Sequence, residues 1–315
     1  MRLVAAASDP RALPCLERFS NAPHTLLALL TAPDRPQGRG KRSRPSALAL
    51  WAGGKGIPVL QPEDVNAPEV LAELRRLAPA AMPVIAYGQK LGLELLALPR
   101  HGCLNLHPSL LPRHRGAAPI PWAILSGDAG TGVSIFRMVS RMDAGPLLAA
   151  RAEPIRPADT AATLGERLFA LGPGLFEEAL GKLDRGDPGR IQDETQATRA
   201  PLLRKEDGLV DWRREASHIE RQIRALQPWP GAYGLLQPSP GGSPIRLALW
   251  RSHVVPGQGP PGSLLLPGGG LVVACGRDAL ALEEVQPEGG RRMGAEAFLR
   301  GARLAPGAAF LTPTP

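Results

Sequence analysis

Short apolar runs alternate with amphipathic stretches through the first half of the chain. Arg2–Ala7, Thr25–Thr31, Met82–Ala86 and Cys103–His107 are apolar, are bounded by turn residues and predict buried strands. Between them, Ala12–Phe19, Ala47–Gly53, Glu69–Leu77 and Lys90–Leu98 predict helices. This alternation is the pattern of βαβ units around a mostly parallel sheet, an α/β fold. Val133–Met138 and Leu147–Glu153 predict two more strands, and Thr160–Leu180 predicts one long amphipathic helix. The polar stretch Asp184–Arg204, with its Asp, Gly, Pro, Gln and Thr, reads as a linker. Trp212–Leu226 then predicts a helix. Short β-type runs broken by Gly and Pro follow at Gly231–Leu236, Ile245–Trp250, Ser263–Leu265, Leu271–Ala274 and Leu280–Val285. Their spacing predicts a small antiparallel barrel. The expected division is a first domain over 1–188, a linker over 189–204 and a second domain over 205–315.

Composition narrows the classes. The 315 residues suffice for two domains of about 100–200 residues each. Gly and Pro, at 36 and 35, favour stiff loops over long helical bundles. The cysteines Cys15, Cys103 and Cys275 are far apart and form no CxxC pair, which argues against a disulfide framework or a zinc knuckle. A reducing cytoplasm is therefore expected, and no metal. Uncharged apolar runs fall short of the roughly 18 residues of a membrane span, so no membrane association is expected. The net charge of +8 permits a polyanionic partner without requiring one.

Dinucleotide chemistry is disfavoured. The first strand runs into Ala7-Ser8-Asp9-Pro10 without a glycine, where a G-x-G-x-x-G loop would have to stand. The densest chemistry is Asn105-Leu106-His107-Pro108-Ser109. Asn105 and His107, two apart at the end of a strand, share one face. In an open α/β sheet, ligands collect at the carboxyl ends of strands. A carboxamide and an imidazole there could hold a carbonyl oxygen and handle a proton. The spacing alone equally fits a satisfied histidine and an asparagine in a turn. Asp143, in Met142-Asp143-Ala144-Gly145, is a turn residue unless folding brings it to His107. The segment Arg35–Arg44 holds Arg35, Arg39, Lys41, Arg42 and Arg44 and no acid. It is either a solvated loop or a phosphate-contacting one.

Together these strings resemble the folate-dependent formyltransferases. The run Asn105–Ile120, with its Asn-Leu-His-Pro-Ser start and Pro112-Arg113-His114-Arg115-Gly116, is similar to their formyl-transfer core. Pro33–Lys41, Ala86-Tyr87-Gly88, Met142–Gly145, Arg204–Trp212 and Pro228–Tyr233 extend the likeness over nearly the whole chain. The turn after the first strand departs from the family's Gly-Thr-Pro, and Pro146 stands where the family commonly has an acid. The resemblance implies a Rossmann-like formyltransferase domain followed by a small OB-like barrel. It implies 10-formyltetrahydrofolate as donor and the α-amine of methionine on initiator tRNA as acceptor, with a monomer at work. It further implies that Asn105, His107 and Asp143 are catalytic. Asn105 and His107 would donate to the formyl oxygen, and Asp143 would accept from the His107 ring. Ser109, Leu110, Leu111 and Pro112 would line the folate. Arg35, Arg39, Lys41, Arg42, Arg44 and Lys205 would meet the tRNA. Other members, acting on amino sugars or glycinamide nucleotides, share the Asn-x-His…Asp core. The basic segment and Pro228-Trp229-Pro230-Gly231 are what they leave unexplained.

Overall fold

The computed structural model describes residues 1–34, 36–37, 42–43, 45–265 and 270–313. In chain order the elements are β1 (Arg2–Ala7), α1 (Leu13–Phe19), β2 (Thr25–Leu30), β3 (Pro36–Gln37), β4 (Arg42–Ser43), α2 (Ala47–Gly54), β5 (Val59–Leu60), α3 (Pro68–Leu77), β6 (Met82–Ile85), α4 (Leu93–Ala97) and β7 (Cys103–His107). They continue with α5 (Pro119–Leu125), β8 (Gly130–Arg137), β9 (Leu147–Pro154), α6 (Ala161–Ala170) and α7 (Gly172–Asp184). The remainder are α8 (Ala216–Ala225), β10 (Ala232–Gln237), β11 (Ile245–Val255), β12 (Leu264–Leu265), β13 (Leu271–Ala274), β14 (Ala279–Pro287), β15 (Met293–Gly294), α9 (Ala295–Ala302) and β16 (Ala309–Leu311).

The chain divides into two compact units. The first comprises residues 1–119, 130–154 and 165–200, and the second 120–129, 155–164 and 201–315. Within the first unit, seven strands of the described residues lie in the order β5-β2-β1-β6-β7-β8-β9. The neighbours from β5 to β7 are parallel, whereas β7–β8 and β8–β9 are antiparallel. Both faces are covered, which is why the strands read as nearly continuous apolar runs. On one face Val4, Ala6, Met82, Val84 and Cys103 pack with Leu71, Leu74 and Leu95 of α3 and α4. On the other side α1 and α7 pair through Phe19 and Phe176, ring centroids 5.2 Å apart.

The single long helix expected over 160–180 is two, α6 and α7. Pro173 has no N–H to continue a helix and sits in the first turn of α7. Gly172 marks a close approach: a Cβ there would stand 2.6 Å from Cys15 Sγ and 2.7 Å from Leu106 of β7.

In the second unit the described strands run β12-β13-β14-β11-β10-β16 with antiparallel neighbours, and β15 is added to β14. An antiparallel bridge between Ser263 and Ala309 joins the two ends of this order, so the sheet curls into a nearly closed barrel. Its core holds Trp212, fully buried against Phe310 at 4.7 Å between rings, and Ile219 and Ile223 of α8. The expected helix over 212–226 therefore starts only at Ala216, because Trp212 is a core plug of the barrel.

Candidate active site

β7 carries the first two candidate residues. It lies between parallel β6 and antiparallel β8, where Asn105 is level with Val84 and Phe136 and His107 with Ser134. Leu104 and Leu106 are buried on one face. Cys103, Asn105 and His107 alternate to the other, with His107 buried and Asn105 half-buried at the carboxyl end of the strand.

The chain then turns through Ser109–Pro112. Ser134 of β8 pins this loop: its hydroxyl donates to the Ser109 carbonyl (2.8 Å) and accepts from the Leu111 N–H (3.1 Å). The Ser109 hydroxyl donates to the Arg113 carbonyl at 2.7 Å. Beneath Leu110, Gly132 leaves the space that a side chain would fill: a Cβ would lie 2.9 Å from Leu110 Cγ.

His107 Nε2 lies 2.9 Å from the His114 carbonyl oxygen. A carbonyl only accepts, so Nε2 carries the proton and a neutral ring has its lone pair on Nδ1. That Nδ1 faces Asp143 Oδ2 at 3.7 Å, too far for a hydrogen bond. Asp143 Oδ2 instead accepts from the Gly116 N–H at 2.7 Å. The structure thus brings Asn105, His107 and Asp143 to one end of the sheet. The expected ring-to-carboxylate hydrogen bond is replaced by a charge facing a lone pair. Burial pulls the His107 pKa below the ordinary imidazole value. The Asp143 charge pulls the other way and is outweighed. A neutral ring with a free Nδ1 is suited to taking a proton.

Asp143 holds a positive φ of 51°. Gly145, two residues on, passes so close to the Arg137 carbonyl that a Cβ would collide with it. Buried Gln192 fastens this loop, its Nε2 donating to the carbonyls of Asp143 and Gly145, each at 2.8 Å. Its Oε1 accepts from Arg115 Nη2 at 2.7 Å. Arg115 in turn forms an ion pair with Glu194 at 2.9 Å. Sequence reasoning missed Ser134, Gln192 and Thr198, the last of which accepts from the His114 N–H at 2.8 Å. The available signal was weak: Gln192 and Thr198 stand in a polar stretch that reads as a linker.

The departing turn after β1 is built on Asp9, which accepts from the Arg11 backbone and guanidinium. The same guanidinium stacks over Phe169 at 4.5 Å. Of the basic residues, Arg35, Arg39, Lys41 and Arg44 lie outside the described residues, and Arg42 enters only as backbone in β4. Lys205 is exposed in a short turn of the second unit. That unit also holds a cavity of about 740 Å³ whose lining includes Arg156, Arg221, Arg224, Arg251 and Arg292. Among the described residues, no group of three or more His, Cys, Asp or Glu is arranged to hold a metal, and no helix is long and apolar enough to cross a membrane.

An α/β sheet with Asn, His and Asp at its carboxyl edge, followed by a nearly closed barrel, fits one class, and the chain belongs to the formyl transferase family. The family's formyl transferase model matches residues 8–180 and its C-terminal-domain model residues 202–303. The chain is 42% identical over 298 residues to the methionyl-tRNA formyltransferase of Geobacter metallireducens, covering 94% of each protein. It is 43% identical over 309 residues to that of Methylococcus capsulatus, covering 97% of this chain and 98% of the relative. In fold it is similar to HypX from Aquifex aeolicus, a structure in complex with tetrahydrofolic acid, with a TM-score of 0.60 and 18% identity. There the likeness covers 96% of this chain and 47% of the other, so the chain spans about half the length of HypX.

Proposed function

We propose that the protein transfers the formyl group of 10-formyltetrahydrofolate to the α-amine of methionine on initiator methionyl-tRNA, the cytoplasmic step that readies this tRNA for translation initiation. The observation that carries the reading is the meeting of Asn105, His107 and Asp143 at the carboxyl end of β7, in a chain collinear with methionyl-tRNA formyltransferases. All three groups come from one chain, so a monomer suffices. Residues 1–188 carry the transfer chemistry and 205–315 contribute to holding the tRNA; of the stretch 189–204 between them, the part up to residue 200 packs with the first unit.

The acceptor must attack as a neutral amine. A free α-amino group has a pKa of about 7.7–8.0, and esterification of the carboxyl lowers it. Near neutral pH the barrier therefore lies less in removing a first proton than in the charge that builds on the formyl oxygen. Half-buried Asn105 donates an amide N–H to that oxygen as the nitrogen–carbon bond forms. The attacking nitrogen becomes cationic and loses a proton to His107 Nδ1. The Asp143 carboxylate, 3.7 Å away, steadies the imidazolium that results. The carbon–N10 bond then breaks, and the proton passes to N10 of the departing folate. The loop Ser109–Pro112, immobilised by Ser134, lines the folate. The cations of Arg35–Arg44, Lys205 and the arginine-lined cavity of the second unit meet RNA phosphates.

The deciding assay supplies labelled 10-formyltetrahydrofolate together with methionyl-tRNA, and separately with an amino-sugar nucleotide. Formyl transfer to methionyl-tRNA alone is expected. Transfer to the sugar, or to neither acceptor, overturns the reading.

A further inference from the structure

The segment 190–200 follows α7 as a polar stretch of chain, yet it is bonded to both loops that flank the candidate catalytic groups, 112–118 and 143–147. Arg190 exchanges two backbone hydrogen bonds with Leu147, both 2.8 Å, just beyond the Asp143 loop. Gln192 is buried, and its amide bridges three residues: it donates to the Asp143 and Gly145 carbonyls and accepts from Arg115 Nε and Nη2. Further along, the Thr198 carbonyl accepts from the Arg115 N–H (2.9 Å), and the Ala200 N–H donates to the Arg115 carbonyl (2.7 Å). Thr198 Oγ1 takes the N–H of His114, whose carbonyl is the partner of His107 Nε2. Gly116, which donates to the Asp143 carboxylate, runs so near the Ala200 carbonyl that a Cβ would collide with it.

His107 and Asp143 make no hydrogen bond to each other. Each is held through a backbone neighbour, and both neighbours are fastened to the same strip of chain. Asp143 also sits in the left-handed region, a conformation that persists where the surroundings over-determine it. Here Gln192 grips the peptide on the carboxyl side of Asp143 and the carbonyl two residues later.

We infer that residues 190–200 act as a clamp that sets the spacing of Asp143 to His107, with Gln192 and Thr198 as its positioning residues. The inference rests on the formyl-transfer reading of this site. Neither residue touches a reacting atom. Their effect is on the alignment of groups that do, and misplacement of such groups by about 1 Å costs up to about a hundredfold in rate.

The test combines a double-mutant cycle with a conservative rescue. Gln192→Met keeps much of the volume and loses the four hydrogen bonds. It is expected to lower kcat by roughly tenfold to a hundredfold with KM for both substrates little changed. In an Asp143→Ala background the same substitution should cost less than about twofold, because the group it positions is already gone. Thr198→Val should lower kcat, and Thr198→Ser, which keeps the oxygen, should restore most of the loss. Full activity in Gln192→Met, or an equal loss with and without Asp143, overturns the clamp. A reading independent of turnover is the ring-nitrogen resonances of His107, expected to move in Gln192→Met in the same direction as in Asp143→Ala. Unmoved resonances in a folded Gln192→Met protein also overturn it. If the wild-type enzyme transfers no formyl group, the reading of the reaction is what falls, and the His107 resonances alone decide the clamp.

Discussion

Asn105 and His107 share a face of one strand but are exposed to different extents, which suits each to the separate duty proposed for it. Half-buried Asn105 can offer a fixed N–H to a charge that exists only in the transition state. Loss of one such donor typically costs about 10²–10³ in rate. Asn105→Ala is therefore expected to lower kcat by that factor while affinity for methionyl-tRNA holds, as read by single-turnover kinetics beside filter binding. A variant keeping over half the wild-type turnover would remove Asn105 from the reaction. His107 couples the site to stability. Its folded pKa is lowered by burial, whereas in the unfolded chain imidazole titrates near 6.5. Between the lowered value and about 6.5 the unfolded chain binds more protons. Stability present above about 6.5 is then lost as pH falls through this window. In His107→Asn, the fall of Tm just below pH 6.5 should be shallower than in the wild type. His101 and His218, also pulled down by burial, remain in both proteins, so the difference between the curves isolates His107. Superimposable curves would assign the acid loss to other groups.

Elements were legible in the sequence where continuous burial of a short apolar run decides them. The β1, β2, β6 and β7 runs are buried on both faces and read as strands almost to the residue, and so does β13. The alternation of strand and helix sufficed for the parallel sheet, and the Gly- and Pro-broken runs sufficed for the barrel. What escaped depends on contacts distant in the chain. The two-residue strands β5 and β15 are defined by their partners rather than by composition. Trp212 extends a helical pattern, but the barrel needs its volume and takes it. Of the candidate site, Asn105 and His107 stood out by their spacing, which fits a satisfied histidine and a turn asparagine as well. Asp143 was visible only through the family resemblance, because nothing local shows that the loops meet. Gln192 was invisible, since a buried amide in a polar stretch has no local mark. The break between α6 and α7 makes a prediction at this scale. Gly172→Ala raises helix propensity, yet its methyl would press on Cys15 and Leu106. Overpacking of this kind costs about 1–3 kcal/mol, so Tm should fall. A rise would show that the contact relaxes freely.

At the scale of the molecule, charge and closure matter most. The net +8 is spread along the chain, and the acid-free Arg35–Arg44 segment contributes five cations to it. If Lys41, Arg42 and Arg44 each neutralise a phosphate, replacing all three by Ala lowers the slope of log affinity against log salt by about 0.7–0.9 per lost contact. A triple variant with the wild-type slope would show a solvated segment with no part in tRNA binding.

The bridge between Ser263 and Ala309 has a different consequence. β16 is paired along one side with β10, and Phe310 donates its N–H to the Gly262 carbonyl at 2.8 Å on the other. This three-residue strand is thus the stave that joins the two ends of the described strand order. Chains ending before Ala309 would present two unpaired strand borders and uncover the Phe310 side of Trp212. Such borders template pairing between molecules. Light scattering of a chain truncated after residue 305 should therefore show concentration-dependent self-association at concentrations where the full chain stays dispersed.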